Sequence, residues 1–347
     1  MHATEASGHD LPGKAPDARD DDTLRVRNLN TLIHTPRGTI KAIQDISFEL
    51  RPGEILGLVG ESGSGKSVTL RSLLRLMPGA AQVSGSVTWR GRELIDASPQ
   101  ELQRTRGGEI AMIFQEPMIA LNPVLTVHRQ IDETLRAHTR LNGGQRLERT
   151  VELLTQVGIP DARRRLQNYP HEFSGGMRQR VMIAIALAGE PSLLLADEPT
   201  TALDVTIQQQ ILNLLLSLRD RLHMGIIFVT HDLGVVAQLC DRVAVMYAGR
   251  IVESGEVGAV FAAPLHPYTQ GLMGSVPRVG VERTPLLSIE GTPPSLLNPP
   301  PGCSFNPRCV YATDLCRRQV PPLLSLAGNR SVACHHYQHL VKTRSLS

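Results

Sequence analysis

The stretch GESGSGKS, residues 60–67, follows the apolar run ILGLV at 55–59 and leads into VTLRSLLRLM at 68–77. This order of strand, glycine-rich loop and helix, with the spacing G-x-x-x-x-G-K-[ST], is typical of a phosphate-binding loop. Its glycines let backbone N–H groups turn toward phosphate oxygens, and the N-terminus of the following helix favours the same anion. We therefore expect the whole loop to contact a nucleotide: Gly60, Glu61, Ser62, Gly63, Ser64, Gly65, Lys66 and Ser67.

Two side chains of this loop have specific expected roles. Lys66 should reach the β- and γ-phosphates, and the hydroxyl of Ser67 should bind Mg²⁺. The alternative is a glycine-rich turn that binds nothing. That alternative is disfavoured because the lysine, the serine and both flanking elements are present together.

A second motif is SLLLADEP, residues 192–199, where an apolar strand ends in two carboxylates. Burying unpaired carboxylates is costly, so their position at the end of a strand indicates a function. Asp197 fits the second Mg²⁺-organising position of a nucleotide hydrolase, and Glu198 could accept a proton from an attacking water. Alternatively, both acids are solvated and open a turn before Pro199.

A third motif, EFSGGMRQR at 172–180, begins a helix with small residues. Ser174, Gly175 and Gly176 offer a hydroxyl and N–H groups to an anion, although no lysine accompanies them. Taken alone, the motif is better explained as an ordinary serine N-cap. Beside the other two motifs it predicts a second phosphate contact.

Composition narrows the class of protein. A formal net charge of +3 over 347 residues does not indicate a nucleic-acid partner, and no apolar run approaches the length of a membrane span. Residues 1–22 lack the apolar core of a secretory signal, so we expect this segment to be disordered and the chain to stay in the cytoplasm with reduced cysteines.

The chain divides into three zones. After residues 1–22, residues 23–258 alternate apolar strands with helical stretches, which predicts an α/β domain with a mainly parallel sheet. Residues 259–347 are rich in proline, which disfavours long helices and central strands. This extension therefore needs another source of order.

In their order along the chain, six motifs resemble those of the ATP-binding subunits of ABC transporters: GESGSGKS, Gln115 in IFQEP, FSGGM, LLLADEP, Ala202-Leu203-Asp204, and His231 in VTHD. The resemblance covers about 24–258. It implies an ABC-type P-loop fold with a mainly parallel core sheet, an antiparallel β subdomain and an inserted helical subdomain at about 97–187. It also implies a head-to-tail dimer, in which each ATP lies between one subunit's phosphate loop and the other's signature, Ser174–Gly176.

The same resemblance assigns catalytic roles. Glu198 would activate water, His231 would contact the γ-phosphate and orient that water, and Gln115 would report the nucleotide state to membrane subunits. Mg²⁺ would be bound through Ser67, Gln115 and Asp197. Two positions depart from the family pattern: the usual adenine-stacking aromatic is replaced by Leu32-Ile33-His34, where either Ile33 or His34 could contact the base, and Met177 replaces a common glutamine.

A narrower resemblance, to the D-type ATPase subunits of dipeptide and oligopeptide importers, rests on LNPVLTV at 121–127, FSGGMRQRVMIAIAL at 173–187, and HPYTQGLM at 266–273 followed by Ser275-Val276-Pro277. It implies ATP hydrolysis that powers import of peptides or a related small solute, at the cytoplasmic face of the membrane. The implied partners are a second, F-type ATPase subunit, two membrane-spanning permease subunits and, indirectly, an extracytoplasmic solute-binding protein, with no nucleic acid. The alternatives are a soluble ATPase of the same superfamily and a regulatory module that binds nucleotide without turnover.

Four of the five cysteines lie in the proline-rich extension: Cys303, Cys309, Cys316 and Cys334. Disulfides are disfavoured in the cytoplasm, and the close C-x-x-C pairs of structural zinc sites are absent. Four thiolates from loops can bind a [4Fe–4S] cluster, and the pattern GCSFNPRC at 302–309 is similar to importer extensions that carry one. Zinc and four free thiols remain alternatives, with His335 and His336 as possible substitute ligands.

Overall fold

The computed structural model describes residues 23–201, 203–275 and 289–344. The disorder expected for residues 1–22 lies outside this range, as do Ala202, Val276 and Pro277 of the quoted motifs. The predicted domain boundaries at 23, 258 and 259, and the limits 97–187 of the helical region, stay predictions.

Strands and helices alternate through most of the chain. The strands are β1 (Leu24–Thr35), β2 (Gly38–Leu50), β3 (Ile55–Val59), β4 (Ala81–Trp89), β5 (Arg92–Glu93), β6 (Ile110–Ile113), β7 (Leu193–Asp197), β8 (Gly225–Thr230), β9 (Arg242–Tyr247), β10 (Arg250–Glu256), β11 (Leu324–Leu326) and β12 (Arg330–Val332). The α-helices are α1 (Lys66–Leu73), α2 (Pro99–Thr105), α3 (Pro117–Ala120), α4 (Val127–His138), α5 (Gly143–Gln156), α6 (Gly175–Leu187), α7 (Val205–Leu222), α8 (Leu233–Leu239), α9 (Val257–Ala262), α10 (Pro267–Gly274), α11 (Asp314–Arg318) and α12 (Tyr337–Arg344).

One sheet is antiparallel, with the strand order β2-β1-β4-β5. Strand β1 begins with the alternation expected of a half-buried strand, because Leu24 and Val26 are buried while Arg25 and Arg27 are exposed. Its buried face contributes to a core that also contains Trp89. This sheet corresponds to the predicted antiparallel subdomain.

The larger sheet has eight strands in the order β11-β12-β10-β9-β3-β8-β7-β6. The five strands from β9 to β6 are parallel, and every residue of β3, β7 and β8 is buried. Such uninterrupted burial is typical of parallel strands that are covered on both faces. Because β3, β8 and β7 are neighbours, the loops after their carboxyl ends meet at one edge of the sheet, where ligands of α/β proteins bind.

Most of the predicted helical region consists of α2 to α6, but β6 within it belongs to the large sheet. The capping of α4 and α5 explains where they begin: Thr126 accepts a hydrogen bond from the Arg129 N–H, and Asn142 accepts one from the Gln145 N–H. Buried leucines of both helices join the core formed by α6 and the sheet. The helix that begins with the third motif is thereby anchored to the sheet.

The proline-rich extension adds to the same sheet. Glu253 of β10 pairs with Val332 of β12, and β12 pairs in turn with β11. Both added strands have only three residues, and β11 forms the edge of the sheet while β12 lies between it and β10. Such short strands are expected where prolines interrupt the chain. Within the three described ranges, no helix combines the length and the apolar character needed to cross a bilayer.

Candidate active site

The phosphate loop joins β3 to α1 in a conformation that requires glycine. Gly60 has φ +152°, and a Cβ atom there would lie 2.2 Å from the carbonyl oxygen of Met246. Gly65 has φ +106° and precedes α1, which begins without a side-chain cap. The N–H groups of the first helical turn therefore point into the loop without a competing side-chain acceptor.

The side chain of Lys66 crosses the interior of this loop and binds its first residues. Its Nζ donates hydrogen bonds to the carbonyl oxygens of Gly60 at 2.7 Å and Glu61 at 3.0 Å. Burial lowers the pKa of Lys66, while the negative charges of Glu198 and Asp197 act in the opposite direction. The ammonium group thus lies between the loop and the carboxylates at the end of β7, where it can neutralise phosphate charge.

Ser67 and Asp197 are brought together across the sheet edge. The Ser67 hydroxyl donates to Asp197 Oδ1 at 2.7 Å, and Asp197 is fully buried. Its other oxygen, Oδ2, is buried without a hydrogen-bond partner among the described residues, and burial raises the pKa of this carboxyl group. A hydroxyl beside an unpaired carboxylate oxygen fits Mg²⁺, which prefers hard oxygen ligands.

Glu198 is the meeting point of three further side chains. Its Oε2 accepts hydrogen bonds from Thr201 Oγ1 at 2.9 Å and from Gln115 Nε2 at 3.1 Å. Nδ1 of His231 lies 3.5 Å from Glu198 Oε1. Glu198 adopts φ +46°, a left-handed conformation unusual for a residue with a side chain, and such strain is often found at functional sites.

The residues of the third motif form a separate group. Ser174 Oγ accepts a hydrogen bond from the Met177 N–H at 3.4 Å at the start of α6, and a Cβ on Gly176 would lie 2.6 Å from a methyl carbon of Ile207. Ser174 and Gly175 are exposed, and a Cβ on Gly175 would lie 3.9 Å from the side chain of Leu203, just before α7. In the part of the chain that the structure describes, no recorded hydrogen bond links this motif to the phosphate loop of the same chain.

The two candidate adenine contacts lie near the end of β1. Ile33 is half-buried, whereas His34 is exposed and its Nδ1 is hydrogen-bonded with Thr39 Oγ1 at 3.1 Å. The structure therefore places both side chains on the antiparallel sheet beside the β1–β2 turn. Neither residue joins the group around Glu198.

The structure adds two residues that no motif predicted at this site. Arg308 forms a two-point ion pair with Glu61 of the phosphate loop, and the Tyr268 hydroxyl accepts a hydrogen bond from the Glu61 N–H. The hydrogen bond to Glu61 raises the pKa of Arg308. In the sequence, Arg308 is a single arginine inside the cysteine-rich stretch GCSFNPRC and Tyr268 lies in HPYTQGLM, and neither pattern indicates a contact with the phosphate loop.

The four cysteines of the extension, here called the four-cysteine module (Cys303, Cys309, Cys316 and Cys334), line one small cavity of about 20 Å³. None of them forms a disulfide. Burial, together with a smaller effect of the neighbouring cysteines, raises the pKa of the Cys303 and Cys334 thiols to about 11. Across the described ranges, no three Cys, His, Asp or Glu side chains are already arranged as ligands of one metal ion.

His335 and His336 also line this cavity, but each has a hydrogen bond elsewhere. His336 Nε2 is bonded with Thr313 Oγ1 at 2.9 Å, and His335 Nε2 with the Gln319 carbonyl at 3.1 Å. The fifth cysteine, Cys240, is buried against Gly57 in the α/β domain, and burial raises the pKa of its thiol to about 12. The predicted separation of four cysteines from one is thus present.

Two family models match the chain. One described as "ABC transporter" matches residues 43–201, and one described as "Oligopeptide/dipeptide transporter, C-terminal region" matches residues 252–316. The first match contains the phosphate loop, Gln115, the third motif and both carboxylates. The second contains Tyr268, Arg308 and three of the four clustered cysteines.

The similarity to known proteins extends over nearly the whole chain. A peptide import ATP-binding protein of Brucella melitensis is 51% identical over 312 residues, which cover 90% of this chain and 94% of that protein. The oligopeptide transport ATP-binding protein OppD of Escherichia coli is 48% identical over 314 residues, covering 90% and 93%. The ATP-binding cassette MJ0796, solved as a dimer in a post-hydrolysis state with ADP and Pi, is 28% identical with a TM-score of 0.61, covering 67% of this chain and 98% of that one.

Proposed function

Because this chain belongs to the family of ABC transporter ATP-binding proteins, we propose that it binds and hydrolyses ATP to power the import of peptides or a related small solute. One observation carries the proposal. The pair Ser67–Asp197 and the group around Glu198 converge beside a phosphate loop that Lys66 spans. This arrangement supports hydrolysis as well as binding, which disfavours a module that only binds nucleotide.

The chemistry follows from the positions of the side chains. Loop N–H groups and Lys66 bind the phosphates, and Ser67, Asp197 and Gln115 provide oxygen ligands for Mg²⁺. Bound Mg²⁺ would neutralise charge that develops on the phosphate oxygens. Glu198 accepts the proton of the attacking water, whose oxygen forms the new bond to the γ-phosphorus while the bond to ADP breaks. His231 orients that water from the other side of Glu198.

A second ATP-binding subunit would complete each site. Ser174 and Gly175 are exposed at the start of α6, where a helix N-terminus can contact the phosphate held by a partner's loop. The solved cassette MJ0796 is dimeric and contains ADP and Pi, which supports pairing of this kind. We propose that the partner of this chain is a related F-type subunit, on the basis of Met177 in the third motif.

An apolar surface beside Gln115 supports a membrane partner. Four large side chains are exposed there, with Ile119 at 80% and Val124 at 76%, together with Phe114 and Met118. Exposed apolar surface of this kind marks interaction sites. We assign it to the two membrane-spanning permease subunits, which would place the chain at the cytoplasmic face of the membrane, with a solute-binding protein acting indirectly from the other side.

For the four-cysteine module we propose a [4Fe–4S] cluster as cofactor. Four thiols line one cavity and both nearby histidines are hydrogen-bonded elsewhere, so the donor set is all sulfur. Thiolate ligands suit iron–sulfur clusters and also zinc. Anaerobic purification followed by iron, sulfide and zinc analysis should give four iron and four sulfide per chain, as a [4Fe–4S] cluster requires. Stoichiometric zinc, or an ordered extension without metal, would contradict the cluster.

Transport itself is the test of the main proposal. The tagged chain is purified from its native membrane, its partners are identified by mass, and the complex is placed in liposomes with ATP on the side of this chain. We expect two membrane-spanning chains, a second ATP-binding chain, and peptide uptake that requires ATP. Lys66→Ala should abolish uptake and weaken nucleotide binding, while the exposed-surface change Arg163→Ala should alter neither.

Two other outcomes would be informative. A catalytically active protein that never associates with membrane-spanning chains would contradict the importer and favour a soluble ATPase. An active transporter with two copies of this chain and no second ATPase would contradict only the F-type pairing.

A further inference from the structure

One residue of the phosphate loop, Glu61, is bound by the C-terminal part of the chain through both its side chain and its backbone. Arg308 Nη1 lies 2.7 Å from Glu61 Oε2, and Arg308 Nη2 lies 3.0 Å from Glu61 Oε1. The N–H group of Glu61 donates to the Tyr268 hydroxyl at 2.8 Å. Since Lys66 Nζ also contacts the Glu61 carbonyl, the N–H, the carbonyl and the carboxylate of this residue all have fixed partners.

Arg308 is itself held firmly. Its side chain is only 5% exposed. Its remaining donors bind the backbone carbonyls of Glu290 at 2.9 Å and Ile289 at 3.2 Å, and the Tyr247 hydroxyl at 3.3 Å. The guanidinium lies 5.8 Å from the ring centre of Tyr247 and 6.0 Å from that of Phe305. A two-point pair from a preorganised guanidinium fixes both distance and orientation, which a lysine would not do.

The aromatic residues around Arg308 connect it with the other contact to Glu61. Tyr268 and Phe305 have ring centres 5.5 Å apart, and both pack on Tyr247. All three rings are buried. Movement of Arg308 would therefore disturb the Tyr268 hydroxyl as well, so the two contacts act on the loop as one unit.

Anchoring the extension does not depend on this contact. Glu253, fully buried, pairs with Arg330 at 2.8 Å, and β10 pairs with β12 through their backbones. The extension is thus bound to the α/β domain at a second place, at the edge of the large sheet. The ion pair of Arg308 with Glu61 contacts the phosphate loop, so breaking this pair should change the properties of the loop.

We propose that Arg308 is a positioning residue for nucleotide binding: through Glu61 it holds the phosphate loop in its binding conformation, so that the C-terminal extension sets the affinity for ATP. The inference rests on the proposed function, because it requires that the loop binds ATP. Arg308 does not reach the carboxylates that carry out hydrolysis. It therefore acts on affinity and leaves the chemical step unchanged.

A double-mutant cycle tests the proposal on the full-length protein. The variants are Arg308→Gln, Glu61→Gln and the double variant, with dissociation constants for a fluorescent ATP analogue and Mg²⁺ measured for each. Each single change should weaken binding by about 5- to 30-fold, within the range of coupling between contacting charged groups. The double variant should be no weaker than the weaker of the two single variants, because both changes break the same link.

Three further measurements distinguish positioning from a general loss of structure. Arg308→Lys should bind ATP more tightly than Arg308→Gln. In Arg308→Gln and Glu61→Gln, KM for ATP should rise while kcat changes less than about twofold. The matched change Arg317→Gln should have no effect on either constant. Arg317 lies in the same extension and forms an exposed pair with Asp314, 3.0 Å away. If Arg308→Gln does not fold, Glu61→Gln still decides, since it replaces no side chain of the extension, and a melting curve shows whether that variant is folded.

The proposal is overturned if Glu61→Gln and Arg308→Gln bind ATP as tightly as Arg317→Gln, or if their effects multiply in the double variant. Wild-type protein that binds no ATP would instead overturn the proposed function. The two failures are therefore distinguishable within one set of measurements.

Discussion

Replacing Glu198 by glutamine should slow hydrolysis strongly while leaving nucleotide binding intact. Glutamine has the same shape as glutamate. Its amide oxygen can still accept the hydrogen bonds that Glu198 Oε2 accepts from Thr201 Oγ1 at 2.9 Å and from Gln115 Nε2 at 3.1 Å. The group around the site is therefore preserved and only the basicity is lost. A positioned general base contributes about 10²- to 10⁴-fold. Because each factor of ten equals about 1.36 kcal/mol, Glu198→Gln should raise the barrier by about 2.7 to 5.4 kcal/mol.

Phosphate release by the assembled transporter measures this effect, and a fluorescent ATP analogue measures binding. Affinity should stay within about threefold of wild type, because Lys66, Ser67 and Asp197 are untouched. Glu190→Gln is the matched control, since Glu190 is a mostly exposed glutamate on the surface that pairs with Arg149. A Glu198→Gln transporter that hydrolyses ATP within tenfold of wild type would refute the assignment of Glu198 as the base.

Two further predictions concern stability. Burial lowers the pKa of His266 to about 3, so between this value and the unfolded pKa of about 6.5 only the unfolded chain takes up the proton. Between pH 7 and pH 5 the free energy of unfolding should therefore fall by about 2 kcal/mol more in wild type than in His266→Asn, whose side chain can still accept the hydrogen bond from the Tyr268 N–H. Urea titrations at both pH values check this difference. Glu253→Gln leaves the charge of Arg330 uncompensated and should lower the free energy of unfolding by about 3 to 5 kcal/mol, which is measured as a lower melting temperature. The control Glu256→Gln, at an exposed position, should lower it by less than about 0.5 kcal/mol. Equal melting temperatures for these two variants would contradict the stabilising role of the buried pair.

The ABC-type fold was predictable from the sequence and is confirmed by its similarity to solved cassettes. The reason is that the informative residues follow strands. Asp197 ends β7, while Ser67 and His231 come shortly after β3 and β8. Because these three strands are neighbours in the sheet, short local patterns were enough to bring the side chains near each other. Gln115, after β6, reaches the same place through its contact with Glu198.

The contacts of the extension were not predictable in this way. Arg308 and Glu61 are separated by 247 positions, and neither lies in a pattern that indicates its partner. Prolines correctly disfavoured central strands, but they carried no signal that β11 and β12 would continue the main sheet. Four cysteines in one segment indicated a shared site, whereas the same sulfur donors suit iron–sulfur and zinc alike, so the sequence left the metal open.

The pairing of β10 with β12 also bears on how a new chain reaches its native state. On the ribosome, β10 is complete roughly 75 residues before β12 is made, which at about 5 to 20 residues per second leaves its edge open for about 4 to 15 seconds. An open strand edge invites pairing with other chains, and a charged side chain at that edge opposes it. Glu253 has this position, and Arg330 reaches it only when β12 arrives. The carboxylate that later joins the extension to the sheet would therefore protect the nascent chain against aggregation until that partner emerges.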